Sequence, residues 1–114
     1  MIKFAVIGCG RIGEMHAGNI VSHSETTLAA VYDVNQSVAE HVAKKYDTRK
    51  VVNIEEIFTS DEIDALLVSS STATHADYIE KAVANNKPVL CEKPIDLDLE
   101  RVKSTAKKIK NSQV

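Results

Sequence analysis

The chain has 114 residues, 44% of them hydrophobic and 26% charged, with a formal net charge of −2. One domain of this size buries about two-thirds of the surface its unfolded chain exposes. The charge balance gives nucleic acid or an anionic membrane no electrostatic hold, and no apolar run approaches the roughly 20 residues of a bilayer crossing. Met1-Ile2-Lys3-Phe4 lacks the long apolar region of a signal peptide. Two cysteines without metal-ligand spacing suit a reducing cytoplasm.

The elements alternate from the start. Phe4, Ala5, Val6 and Ile7 give a first strand over 3–7. The segment Gly8-Cys9-Gly10-Arg11-Ile12-Gly13 follows, and an amphipathic helix is expected over 11–21. Strand, glycine turn and helix start are the context in which Gly-x-Gly-x-x-Gly reads as a dinucleotide-binding fingerprint. Gly8 lets the chain turn off the strand, Gly10 leaves room for a pyrophosphate against the backbone, and Gly13 lets the helix pack close to the sheet. Free N–H groups and the positive dipole end of the helix favour the anion.

A second strand over 28–32 ends at Asp33, twenty residues after Gly13. A carboxylate there accepts hydrogen bonds from ribose hydroxyls and repels a 2′-phosphate, and no cation follows before Lys44. NAD is therefore preferred over NADP; a merely solvated strand-end aspartate is the bland alternative. Asn35 caps a helix whose apolar stripe is Val38, Ala39, Val42, Ala43 and Tyr46. Val51-Val52 is a short third strand. Asn53 and Glu56 form a capping pair for a short helix over 54–58, and residues 60–62 cap one more turn. A fourth strand over 65–69 precedes a helix started by Thr74 and Asp77, with Ile79, Ala82 and Val83 inward. Asn85-Asn86 ends it, and Pro88 opens a fifth strand over 88–91. Asp98 caps a last helix with Leu99, Val102, Ala106 and Ile109 on one face.

Apolar strands alternating with helices predict an α/β fold, a doubly wound parallel sheet in three α/β/α layers with strand order 3-2-1-4-5. Its ligand belongs at the carboxyl ends of the strands. The polar residues gather there: Gly8–Gly13, Asp33, the loop 69–74 and Glu92-Lys93-Pro94. Small hydroxyl side chains after strand 4 let a ligand come close to the backbone, although alone they read as a polar loop with a helix cap. Lys93 at the end of a central strand can bond a substrate hydroxyl and favour loss of its proton, or it is half of a surface Glu-Lys pair. Cys9 and Cys91 lie two strand spacings apart, about 9–10 Å, beyond the roughly 7 Å a disulfide spans. Both are expected as free thiols that pack rather than react. His16, His23 and His41 share no metal spacing, so no metal site is expected.

Together Gly8–Gly13, Asp33-Val34-Asn35, the 70–75 loop and Cys91-Glu92-Lys93-Pro94 resemble the glucose–fructose oxidoreductase and inositol dehydrogenase family. The likeness spans essentially the whole chain and is nearest to the inositol 2-dehydrogenases. It implies cofactor contacts from Gly8, Cys9, Gly10, Arg11, Ile12, Gly13, Asp33, Val34, Ser70, Ser71, Thr72, His75, Glu92, Lys93 and Pro94, and a catalytic role for Lys93. Where the family has Thr-Pro-Asn-x-x-His, this chain has Ser70, Ser71 and Thr72, with the histidine kept at His75.

Family members are roughly three times longer. Their second domain, on an open antiparallel sheet, carries most of the substrate pocket and an aspartate and histidine for the proton. The resemblance thus implies that residues 1–114 are the dinucleotide-binding domain of an NAD-dependent, homo-oligomeric dehydrogenase. Its substrate class is a cyclitol or sugar, oxidised at a secondary hydroxyl, with the catalytic domain outside this chain. A non-enzymatic dinucleotide module, a redox sensor or regulatory subunit, is the alternative. Such a module has no use for a lysine at the hydride end.

Overall fold

The computed structural model describes all residues 1–114. Five strands form one parallel sheet in the order β3-β2-β1-β4-β5: β1 (Ile2–Ile7), β2 (Thr26–Tyr32), β3 (Arg49–Lys50), β4 (Ala65–Val68) and β5 (Val89–Cys91). Between and after them run α1 (Arg11–Ser22), α2 (Gln36–Lys45), α3 (Glu55–Thr59), α4 (Thr72–Ala84) and α5 (Leu99–Ile109). Strand periodicity sends alternate residues to opposite faces. Ala5, Ile7, Leu66 and Val68 join Ile57, Phe58 and Ala82 of α3 and α4 on one face. Val6, Val31 and Leu67 join Ala17, Ile20, Ala39 and Val42 of α1 and α2 on the other. Each large side chain fully buried there contributes about 1.5–3 kcal/mol. The expected doubly wound architecture and strand order are what the molecule has, and no helix is long and apolar enough to cross a membrane.

Two caps form as the sequence suggests. Asn35 accepts the Ser37 amide at 3.1 Å, and Asp98 accepts the Glu100 amide at 3.0 Å. Three local expectations need correction. The third strand lies at Arg49–Lys50 rather than at 51–52, and Val51, 3% exposed, instead turns into the core beside β3. Asn53 caps α3 through the Glu55 amide, but Glu56 reaches away to Arg49 rather than back to Asn53. The capped turn expected over 60–62 does form, with the Ile63 amide donating to the Ser60 carbonyl at 3.3 Å. Ser60 Oγ accepts the Glu62 amide, and the buried Lys87 ammonium donates to the carbonyls of Ser60 and Ile63. Helix α4 begins two residues before the expected Thr74, at Thr72 after the N-cap Ser71, and Thr74 Oγ1 bonds back to the Ser71 carbonyl.

The apolar face of α5 is only partly covered, with Val102 and Ile109 half-buried and Ala106 exposed. Leu99 is 64% exposed, and the one buried residue of the helix is Thr105. This helix docks on α4 through polar groups. Arg101 donates to Asp77 and Glu80, Thr105 donates to Glu80, and Lys108 pairs with Glu80 at 3.1 Å. Burial alone would raise the Glu80 carboxyl, yet hydrogen bonds from Thr105, Lys108 and Arg101 outweigh it and bring the pKa down to about 2. A depressed carboxyl contributes stability that is whole above its ordinary value of 4.5 and is lost as pH falls toward 2. Urea unfolding at pH 5 and pH 3 should therefore cost the native chain more stability than Glu80→Gln. Equal losses would mean that Glu80 does not carry the acid sensitivity.

Candidate functional site

The carboxyl ends of β1, β2, β4 and β5 meet where the strand order reverses, the place at which open α/β sheets bind ligands. At the end of β1 the chain turns at Gly8, whose φ of +96° suits only glycine. Its amide donates to the Tyr32 carbonyl at 2.8 Å, and Ser69 Oγ donates to the Gly8 carbonyl at 2.9 Å. A Cβ on Gly13 would stand 1.8 Å from that same carbonyl oxygen, so α1 packs as closely as a backbone allows. Gly10 is different: a Cβ there would meet nothing within 4 Å. Nothing inside the protein requires glycine at this position.

Helix α1 starts at Arg11 with no side-chain cap. The amides of Arg11, Ile12 and Gly13 find no acceptor in the chain, while Glu14 already bonds to Gly10. Three orphan donors and the positive helix end thus face a gap left by Gly10, which fits a pyrophosphate. Glu14, an acid in this first turn, is held below the ordinary carboxylate range first by a hydrogen bond from His41, with Lys45 adding to it. That pairing turns its charge toward α2.

Asp33 organises the turn from the neighbouring strand. Its Oδ2 accepts the Cys9 amide and its Oδ1 the Asn35 amide, both at 2.8 Å. Each carboxylate oxygen keeps lone-pair capacity for a further donor. Asp33 and Val34 line a cleft of about 110 Å³ together with Gly8, Ser70, Ser71 and Thr74. Ile7, Tyr32 and Tyr78 complete its walls, and no lysine or arginine lines it. Burial pushes the Tyr78 hydroxyl above its usual range.

The structure brings most of the sequence-derived residues to this end of the sheet, but in different capacities. Gly8, Asp33, Val34, Ser70 and Ser71 line the cleft. Arg11 and Ile12 are exposed on the first turn of α1, and Thr72 lies in the first turn of α4 outside the cleft lining. Cys9 turns inward, 2% exposed, and burial first and Asp33 second push its thiol up to about 12. Cys91 is pushed up to about 11 by burial and Glu92. Both thiols are free and neither is activated. His75 offers no ring nitrogen to a cofactor. It is 2% exposed, with Nδ1 2.8 Å from the Pro94 carbonyl and Nε2 2.9 Å from the Ser70 carbonyl. A neutral imidazole donates from one nitrogen only, so it serves both carbonyls at once only when doubly protonated. Glu92 pairs with His16 at 2.6 Å, and that hydrogen bond first of all holds its carboxyl below the ordinary range. Lys93 and Pro94 are exposed, joined by a cis peptide bond.

Sequence reading missed Tyr32, Tyr78 and His16, and placed Thr74 in the ligand-end loop without singling it out as a contact. Tyr78 follows Thr74 by one helical turn and shares its face, a signal available to anyone who starts α4 at the right residue. Tyr32 precedes Asp33 and closes β2. Nothing local marks His16 as the partner of a glutamate 76 residues away.

Residues 2–114 match the model of the oxidoreductase family with an NAD-binding Rossmann fold. The chain belongs to this NAD-binding oxidoreductase family. Among its curated relatives in the family is the inositol 2-dehydrogenase of Rhizobium meliloti, 38% identical over 98% of this chain and 34% of the relative. The scyllo-inositol 2-dehydrogenase (NAD(+)) of Bacillus subtilis is 36% identical over 99% of this chain and 34% of its own length. The chain thus spans about a third of the length of the curated relatives it matches. The scyllo-inositol dehydrogenase of Lactobacillus casei, crystallised with NAD(H) and scyllo-inositol bound, superimposes with a TM-score of 0.89. It is 29% identical, and the match covers 96% of this chain and 33% of that one.

Gly10 and Gly13 of the glycine turn make opposite predictions. Gly10→Ala should leave stability within about 1 kcal/mol, since a capping loss and a chain-entropy gain nearly cancel. It should weaken NAD binding at least about tenfold, or ~1.4 kcal/mol. Gly13→Ala should instead destabilise the fold by about 1–3 kcal/mol through overpacking. Thermal unfolding and titration calorimetry separate the two; undiminished NAD binding by Gly10→Ala would move the pyrophosphate elsewhere.

Proposed function

We propose that this chain is the cofactor-binding half of a dehydrogenase that oxidises a secondary hydroxyl of a cyclitol or sugar to a ketone. The observation that carries the cofactor side is the open space at Gly10 facing three unpaired amides. The observation that carries the chemistry is Lys93, an exposed ammonium at the end of β5, on the rim where the glycine turn also lies. Kinship with inositol dehydrogenases supports the substrate class, and it speaks against a non-enzymatic sensor or regulatory module.

In this reading the amides of Arg11, Ile12 and Gly13 hold the pyrophosphate, and Asp33, with Val34 beside it, takes the adenosine ribose hydroxyls. Ser70 and Ser71 offer hydroxyl donors from the facing loop. Bound NAD supplies an acceptor for the hydride that leaves the carbinol carbon. Lys93 donates to the reacting hydroxyl and favours its loss of a proton as negative charge develops. The proton goes on to a base in a second domain outside residues 1–114, which also supplies most of the substrate pocket. Free, unactivated thiols at Cys9 and Cys91 suit a reducing, cytoplasmic setting.

Because Asp33 repels a 2′-phosphate and no cation lines its cleft, NAD should bind at least about tenfold tighter than NADP, ~1.4 kcal/mol. Asp33→Ser should narrow that ratio. Asp33 also holds two backbone amides, so calorimetry should be read as the ratio rather than as either affinity. A ratio unchanged by the substitution would remove Asp33 from cofactor choice.

Lys93→Met in the full-length enzyme should lower turnover about a hundredfold or more, the scale of a positioned acid–base group, while NAD affinity changes far less. Turnover that falls only in step with the folded fraction would make the lysine architectural.

A further inference from the structure

The Lys93 ammonium makes no bond within the chain and stands exposed, yet both of its chain neighbours are tied down. On one side, the Glu92 amide donates to the Val68 carbonyl at 2.9 Å, and the Glu92 carboxylate lies 2.6 Å from His16 Nε2 on α1. On the other, the Pro94 carbonyl lies 2.8 Å from His75 Nδ1 on α4. Helices α1 and α4 pack on opposite faces of the sheet. The segment 92–94 is therefore gripped from both faces, by one histidine from each.

We infer that His16 and His75 are positioning residues that clamp residues 92–94 and so fix where Lys93 stands relative to the start of α1. The assignment rests on the proposed contact between Lys93 and the reacting hydroxyl. Its physical basis is the long, freely rotating stem of lysine. An ammonium on such a stem can hold a reacting atom in register only if its backbone root is immobile. A displacement of about 1 Å at a reacting centre can cost about a hundredfold in rate. His16 sits on the same helix whose first turn offers the pyrophosphate donors, so one rigid element indexes both the cofactor turn and the lysine. The other ring nitrogen of His75 lies 2.9 Å from the Ser70 carbonyl, so the same side chain also borders the cleft loop.

The test has two arms. In the 114-residue chain, nitrogen-15 relaxation at the Lys93 amide is compared between the native sequence, His16→Leu, His16→Gln and His75→Gln. Calorimetry with NAD and urea unfolding run alongside. The clamp requires that His16→Leu stay folded, bind NAD within about threefold of the native chain, and show a clear loss of order at Lys93. His16→Gln, which keeps a donor toward Glu92, should recover most of that order. His75 is buried, so if His75→Gln fails to fold the His16 pair decides alone.

In the full-length enzyme, His16→Leu should lower kcat about tenfold or more with the KM for NAD little changed, and His16→Gln should restore it. Unaltered order at Lys93 in His16→Leu overturns the clamp, and so does lost order with kcat intact. Unchanged kcat in Lys93→Met instead overturns the catalytic role of the lysine, an outcome the relaxation arm does not depend on.

Discussion

Three stretches of backbone meet at Gly8 with no room for a Cβ on either glycine involved. A methyl on Gly8 would stand 2.4 Å from the Ser70 amide nitrogen, and one on Gly13 would overlap the Gly8 carbonyl. Real Cβ atoms do not approach that closely, so β1, the loop after β4 and the first turn of α1 are locked as one body. The spacing of every polar group around them follows. The amides of α1 face outward because the helix is pressed down onto the strand end. Asp33 can then cross from β2 to catch the Cys9 amide, and Ser69 can reach the Gly8 carbonyl from β4.

That lock explains a division of labour among glycines that look equivalent in the motif. Two of them serve the protein's own packing and the third opens onto free space. It also explains why the acid of the turn is not a free ligand group. Asp33 is first a structural acceptor for two amides and only then a partner for anything bound, so its substitution disturbs geometry and recognition together. The histidines follow the same logic at the other end of the cleft. His75 and His16 link loops that the sheet alone leaves separate.

The sheet was legible because its signals are local: short apolar runs, glycines at a strand end and two side-chain caps. So were the residues gathered at its carboxyl edge, since strand order fixes which loops are neighbours. The failures have identifiable physical causes. Val51 and Val52 look like a strand, yet the pairs with β2 are Ala30 with Arg49 and Val31 with Lys50, and Val51 adds only its amide, donated to the Val31 carbonyl. Leu99, Val102, Ala106 and Ile109 look like a buried stripe, yet Arg101, Thr105 and Lys108 find carboxylates on α4. A polar docking of that kind is invisible to hydrophobic periodicity. His16 with Glu92 and Lys87 with the Ser60 and Ile63 carbonyls are long-range pairs, which only the closed fold brings together.

The two borders of the sheet are unlike each other. At one, β3 is two residues long and both are basic, a short charged edge of the kind that discourages another strand from adding on. At the other, β5 hydrogen-bonds to β4 alone and presents Leu90, 60% exposed, on its surface. Growth of this sheet therefore has a direction. A further strand, whatever chain supplies it, meets repulsive lysine and arginine on the β3 side and an apolar, unpaired ladder on the β5 side.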